Sequence, residues 1–191
     1  MGRIVVCTLS TLDGAVDDPN RIFPDPDPEA TGPAAPTYDD VMGELEERLI
    51  ASQQAVLLGR GMYDEWSGYW PHSDEEPFAS FINGVKKYVV TSSDLATTWG
   101  DSERVTGPLE EIVAGLKRRV DGDIGVHGSI GLVQSLLDQD LVDELHLVVA
   151  PVIDPLGRRL FEKVSDLRRL RLAEATPTPS GTLWLVYHRA Q

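Results

Sequence analysis

Three stretches of this chain bring glycine, short hydroxyl side chains and, in one case, an arginine together in the way that anion binding requires. The first runs Leu58-Gly59-Arg60-Gly61-Met62 and continues through Tyr63 to Trp66. An apolar strand passes through a glycine into a short helix, where unpaired N–H groups attract phosphate and Arg60 offers a bidentate fork. The plain alternative is a turn made by Gly59 and Gly61, with Arg60 in solvent. A Walker A loop is excluded, because no Gly-Lys-Ser/Thr follows. The second stretch is Thr91-Ser92-Ser93-Asp94, whose hydroxyls suit a sugar or phosphate and equally suit a turn. The third, Gly125-Val126-His127-Gly128-Ser129-Ile130-Gly131, is spaced G-x-x-G-x-x-G rather than as the dinucleotide fingerprint G-x-G-x-x-G. Gly128 and Ser129 at a helix N-terminus would let a pyrophosphate approach the backbone, and close glycine packing accounts for the same residues.

Other chemistries are poorly represented. His72, His127, His146 and His188 share no metal-ligand spacing, so no metal is expected, and a lone strand histidine such as His127 reads first as packing. No G-x-S-x-G elbow is present for a hydrolase. The single cysteine, Cys7, lies mid-strand among apolar residues and reads as core packing; one cysteine without a partner suits a reducing cytoplasm.

The elements that must position these loops alternate along the chain. Strands are expected over residues 3–9, 55–58, 88–91, 103–106, 124–127 and 142–149. Helical spacing of Tyr38, Val41, Met42, Leu45 and Leu49 predicts an amphipathic helix over 38–52, with Glu44, Glu46, Glu47 and Arg48 off the apolar stripe. Gly107-Pro108 starts another helix with Leu109, Ile112, Val113 and Leu116 on one face, and Ile130, Val133, Leu136 and Leu137 mark a third. Alternating polarity over 170–175 and 182–188, around Pro179-Ser180-Gly181, signals a hairpin. The expected fold is therefore a three-layer α/β arrangement in one domain, residues 1–191. Its sheet has about eight strands, mixed and mainly parallel, and ends in an antiparallel hairpin.

One stretch breaks this rhythm. Residues 17–37 hold six of the 13 prolines and five acidic residues against Arg21 alone, which predicts a flap beside a site or a solvated insertion. Over the whole chain, 17 Lys and Arg face 31 Asp and Glu, a net charge of −14. That balance offers no basic footprint for nucleic acid. No apolar run approaches the roughly 20 residues that span a bilayer, so no membrane role is expected.

The order of these motifs resembles the dihydrofolate reductase-like superfamily, most closely the C-terminal reductase domain of bifunctional riboflavin-biosynthesis deaminase-reductases and its stand-alone bacterial relatives. The matching residues are Ser10-Thr11-Leu12-Asp13-Gly14, Leu57-Leu58-Gly59-Arg60 with Tyr63 and Trp66, Val90-Thr91-Ser92-Ser93, His127-Gly128-Ser129, and Leu141-Val142-Asp143-Glu144-Leu145 running to Ala150-Pro151-Val152. The resemblance implies a nicotinamide-dependent reductase, commonly a homodimer in the riboflavin branch. Its substrate would be 5-amino-6-(5-phosphoribosylamino)uracil or a related small heterocycle, with a pterin such as dihydrofolate as the alternative. A nucleotide-binding protein that lost the chemistry is the third reading.

By that likeness the pyrophosphate lies on Gly59, Arg60, Gly61 and Met62 and on Gly128, Ser129 and Ile130, with His127 and Thr91 also among the cofactor-binding residues. Arg60 with Ser92 and Ser93 holds a 2′-phosphate, favouring NADPH, while Asp94 stands where the family often has a basic residue and keeps NADH open. Asp13, Ala150, Pro151 and Val152 border the substrate. Asp13 is the first candidate proton donor, with Asp40 and its neighbour Asp39 as rivals at a helix start. A phosphorylated substrate would draw on Arg21, Arg158, Arg159 or Lys163. The family usually has Gly-Gly where this chain has Gly128-Ser129.

Overall fold

The computed structural model describes residues 1–24 and 35–190. Its strands are β1 (Arg3–Thr11), β2 (Gln53–Gly59), β3 (Lys86–Val90), β4 (Ser102–Val105), β5 (Asp123–Val126), β6 (Glu144–Ala150), β7 (Leu170–Pro177) and β8 (Leu183–Arg189). They form one eight-stranded sheet in the order β4-β3-β2-β5-β1-β6-β8-β7. The pairings from β4 through to β6 are all parallel, whereas β8 runs antiparallel to both β6 and β7. Parallel strands need crossovers, and these are supplied by α2 (Asp40–Ala51), α3 (Arg60–Tyr69), α4 (Phe78–Gly84), α5 (Leu109–Arg119) and α6 (Ile130–Asp138), after a short α1 (Pro19–Ile22).

Side-chain alternation along the central strands feeds two apolar layers, as a sheet covered on both faces demands. Ile4, Val6, Leu57, Ile124 and Leu145 pack beneath Ile112 and Leu116 of α5 and Val133 and Leu136 of α6. On the other face Val5, Val148 and Trp184 lie under Met42, Leu45 and Leu49 of α2. Val56, Leu58 and Val89 lie on that face too, under Tyr63 of α3 and Phe78 and Ile82 of α4. Asp39 caps α2, accepting the Met42 N–H at 3.0 Å. Glu110 and Glu111 open α5 while Lys117, Arg118 and Arg119 close it, each sign where the helix dipole favours it. At the hairpin turn Thr178 N donates to Thr182 O at 2.9 Å, and Gly181 takes a φ of 83° that a Cβ would disfavour.

Several boundaries differ from expectation for local reasons. Strand β2 begins at Gln53, with a register shift between Gln53 and Ala55. Pro108 caps α5, and the helix starts at Leu109. The seven residues of α4 are too few to show a helical period, and only packing of Phe78, Ala79 and Ile82 reveals it. Within the proline-rich stretch Asp18 caps α1, whose first residue is Pro19; the expected flap falls largely on residues 25–34, outside the described residues. Among the described residues no helix is long and apolar enough to cross a membrane.

Because β1 to β6 are parallel, all their carboxyl ends meet at one edge. The loops expected to carry chemistry therefore emerge side by side.

Candidate active site

Two helices begin within one hydrogen bond of each other at that edge. Gly59 caps α3, and its N–H donates to Ser129 Oγ at 3.0 Å, where Ser129 caps α6. Ser129 lies in the left-handed region at φ 60°, an uncommon conformation for a residue with a Cβ. A glycine would adopt it freely but could not accept from Gly59, so the serine's hydroxyl offsets the backbone cost with a link between the loops. The approach is close: a Cβ on Gly59 would stand 2.7 Å from Ser129 Oγ, and one on Gly128, at φ 142°, 2.7 Å from the Met62 methyl. Gly61 has open space before it. Two helix N-termini thus stand side by side as a cradle of backbone N–H groups, an arrangement that suits an anion.

Beyond this cradle Arg60 spans from α3 to the loop after β3. Its Nη1 donates to Ser93 Oγ at 3.0 Å and to the Asp94 carbonyl at 2.8 Å, while Nε reaches Asp64 one turn along at 2.7 Å. Thr91 supports Ser93, accepting its N–H at 3.2 Å. Asp94 pairs with Arg104 of β4 at 3.0 Å, and Arg104 also donates to the Ser92 carbonyl. A second arginine thus stands at this corner, from a strand edge no motif marked.

At the other end, β1 and β6 finish in register, Thr11 opposite Ala150, and Leu12 N donates to Val152 O at 2.8 Å. The Asp13 carboxylate accepts from Thr11 Oγ1 at 2.7 Å, from Asp154 N at 2.9 Å and from Arg159 Nη2 at 2.8 Å. The hydroxyl and backbone bonds hold it below the usual carboxylate range, so it is an ion that ties loops together. Asp39 is likewise committed, capping α2 and accepting the Ser180 N–H of the hairpin at 2.9 Å. Asp40 is exposed in the first turn of α2. Asp13, Ala150, Pro151 and Val152 are brought together here, whereas Asp40 stays outside.

The His127 ring turns away from the cradle. It packs 5.1 Å from the Phe78 ring and 5.9 Å from Phe81, and its Nε2 meets Gln53 Oε1 at 2.7 Å. Burial pushes its pKa down to about 4, leaving the imidazole neutral. Gly125 makes this possible, because a Cβ there would land on the Gln53 amide. The amide nitrogen of Gln53 is buried without a partner among the described residues.

One row of polar side chains was not anticipated. β1 and β5 are in register as far as Val6 opposite Val126, so Cys7 and His127 come next; on β6 His146 lies opposite Cys7. His127, Cys7 and His146 therefore cross three neighbouring strands on the face that α2 covers. His146 Nδ1 accepts from Trp184 Nε1 at 3.0 Å, and Nε2 meets Glu144 at 2.8 Å. Above the row stands half-buried Glu46 of α2, whose carboxyl is raised by burial despite a hydrogen bond from Tyr38. Burial and the Glu46 charge raise both the Cys7 thiol and the Tyr38 hydroxyl, which stay protonated at neutral pH. Glu46 follows Met42 by four residues, and that spacing is the one sequence signal for its inward flank. Among the described residues no group of three His, Cys, Asp or Glu is arranged to hold a metal. A surface concavity of about 670 Å³ lies at the opposite edge of the sheet, between Arg3, Arg171, His188 and Arg189, away from these loops.

The sequence of the RibD C-terminal domain matches residues 3–184. The chain belongs to that family. Among curated proteins it is 25% identical over 194 residues to the uncharacterized protein YyaP of Bacillus subtilis, covering 97% of this chain and 94% of that one. A solved putative riboflavin biosynthesis protein of Shewanella sp. PV-4 superposes with a TM-score of 0.73 at 18% identity, covering 99% of each chain. RibD of Acinetobacter baumannii gives 0.67 at 15% identity, covering 100% of this chain and 58% of that one. Dihydrofolate reductase of Enterococcus faecalis, solved with NADP(H), gives 0.61 at 13% identity, covering 99% and 97%. The fold of this RibD C-terminal domain protein is dihydrofolate reductase-like, and its family is of the riboflavin-type reductase kind.

Proposed function

We propose that this chain is an NADPH-dependent reductase of the riboflavin-biosynthesis type that transfers hydride to a small heterocyclic substrate. The meeting of the α3 and α6 N-termini at Gly59 and Ser129, with the Arg60–Ser93 pair beyond it, carries the reading. The residues fit the cofactor: with the Gly59 N–H taken by Ser129 Oγ, Gly61, Gly128 and Ser129 leave backbone N–H groups for a diphosphate, and Arg60, Ser93 and Arg104 form the corner for a 2′-phosphate. When bound, the nicotinamide cofactor supplies the hydride.

The chain's own residues orient the acceptor and supply a proton. Asp13 positions the loop at Asp154, and its lowered pKa is the wrong direction for a donor near neutral pH. Glu46 is the better acid, because burial raises it and the Tyr38 hydroxyl holds it over the Cys7 row. The riboflavin intermediate 5-amino-6-(5-phosphoribosylamino)uracil and a pterin are the two substrate readings, the second favoured by a half-buried carboxyl on the first long helix. A homodimer would use β7, an edge strand exposed along nearly its whole length, with Leu170 and Leu172 outward. Titration of the purified protein with NADPH and NADH tests the reading. Saturable binding with NADPH preferred is expected, and no saturable binding of either cofactor overturns it.

A further inference from the structure

We propose that this chain carries a second anion site, for a phosphate group, at the amino edge of the sheet. It lies opposite the cofactor cradle and stands independently of the reductase reading. The concavity of about 670 Å³ at that edge is lined by Arg3, Asp143, Arg171, His188, Arg189 and Ala190. Three arginines against one carboxylate run counter to a chain whose net charge is −14. The carboxylate is already committed, since Asp143 accepts the Ile4 N–H at 2.7 Å and pairs with Lys117 at 2.5 Å.

Strand register builds the site. Arg171 of β7 stands opposite His188 of β8, and His188 stands opposite Glu144 of β6. Arg171 Nη2 lies 2.9 Å from His188 Nδ1. A guanidinium only donates, so Nδ1 is the acceptor and the ring proton sits on Nε2, 3.1 Å from Glu144. Arg3 is held by both oxygens of Asp123 at 2.8 Å and by Glu144 at 3.1 Å. Arg189 spends Nη1 on the Asp140 carbonyl and carboxylate, at 2.9 and 3.3 Å. Arg171 differs from both: among the described residues it has no carboxylate partner, and its one hydrogen bond goes to an uncharged ring. The guanidinium is thus oriented in advance while its charge and its other N–H groups stay available to a ligand.

A second guanidinium enters at the same corner. Arg169 is exposed and likewise has no carboxylate partner among the described residues, and its carbonyl accepts the N–H of Ala190, which lines the concavity, at 3.3 Å. Two exposed guanidiniums suit a tetrahedral, doubly charged oxyanion better than a single carboxylate. Apart from the His188 ring and Ala190 the lining is charged, and it offers no apolar platform for a nucleobase. The ligand is therefore a small phosphate-bearing molecule, either the free ion or the ester of a small polar body.

The test is a nuclear magnetic resonance titration of the full chain with inorganic phosphate at constant ionic strength, reading the His188 ring nitrogens. A saturable shift at Nδ1 is expected, because phosphate competes for the guanidinium that bonds it. Arg171→Gln keeps a donor for His188 and removes the charge, and should weaken phosphate at least about tenfold; Arg169→Ala should weaken it about threefold. Glycerol 3-phosphate separates the two sources: tighter binding than phosphate marks an ester as the ligand, and weaker binding marks the free ion. No saturable shift at millimolar phosphate overturns the proposal, as does an equal shift with acetate or a response that survives Arg171→Gln. The backbone signals of Gly59 and Ser129 report phosphate in the cofactor cradle separately, and Arg60→Ala should leave the His188 response unchanged.

Discussion

The two ends of the proposed site are built from different materials. At the cofactor end the contacts are backbone: Gly59, Gly61 and Gly128 bring helix starts together, and Ser129 fastens them. Over the face that α2 covers, where the proposal seats the reacting ring, they are side chains from separate strands and one helix, namely Cys7, His127, His146 and Glu46. A backbone cradle accepts any diphosphate and varies little with surrounding residues. A side-chain floor sets which ring is accepted, and it changes with single substitutions. Family membership therefore speaks to the first end and leaves the second to this chain's own residues.

The largest expected effects break one end and spare the other. Gly59→Val would drive its side chain into Ser129, parting the two helix starts. We expect at least about a hundredfold loss of NADPH affinity, roughly 2.8 kcal/mol, with kcat and its pH profile at saturating cofactor retained; parallel loss of both would show that the ends are not separable. Glu46→Gln should do the reverse, lowering kcat by about a hundredfold and removing one limb of the pH–rate profile while NADPH affinity holds. An unchanged pH profile would deny Glu46 its proton.

That asymmetry also explains what was legible before the structure. The loops at Gly59 and Gly128 were visible because glycine between a strand and a helix marks a turn or a close approach, both of which are present, and the parallel order of β1 to β6 followed from helices separating apolar runs. Glu46 was read as off the apolar stripe of α2, and the buried Met42, Leu45 and Leu49 were placed correctly. What decides its role is the register of β1 against β5 and β6, which sets Cys7 between two histidines, and no local spacing encodes a pairing between residues 7, 127 and 146. Asp13 shows the converse: an Asp-Gly turn after a strand is conspicuous, yet its carboxylate is consumed by Thr11, Asp154 and Arg159.

Two smaller changes sharpen the contrast. Gly125→Ala would push the Gln53 amide off His127, stranding buried polar groups, and should cost about 2 kcal/mol, or a melting temperature lower by roughly 4–8 °C. An unchanged melting temperature would mean that Gln53 moves without penalty. Arg60→Ala should weaken NADPH by about tenfold and NADH by less than about twofold. Equal losses for both cofactors would assign Arg60 to the diphosphate and not to the 2′-phosphate.

The smallest effect probes whether the row of His127, Cys7 and His146 is neutral at its His127 end. In the folded chain His127 titrates near 4, lowered by burial, against 6.5 for an unhindered histidine. Between those values the unfolded chain binds more protons at this residue than the folded one, so stability falls as pH drops from 6.5 through about 4 and is unaffected by this group above that window. His127→Gln keeps a polar group beside Gln53 and cannot titrate. Thermal melts at pH 7.5 should place the wild type slightly above the variant, and melts at pH 4.5 should close or reverse the difference. If the two proteins lose stability in parallel between those pH values, the imidazole is already charged or already solvated in the folded state, and His127 is not the neutral, desolvated end of the row that its contacts with Phe78, Phe81 and Gln53 describe.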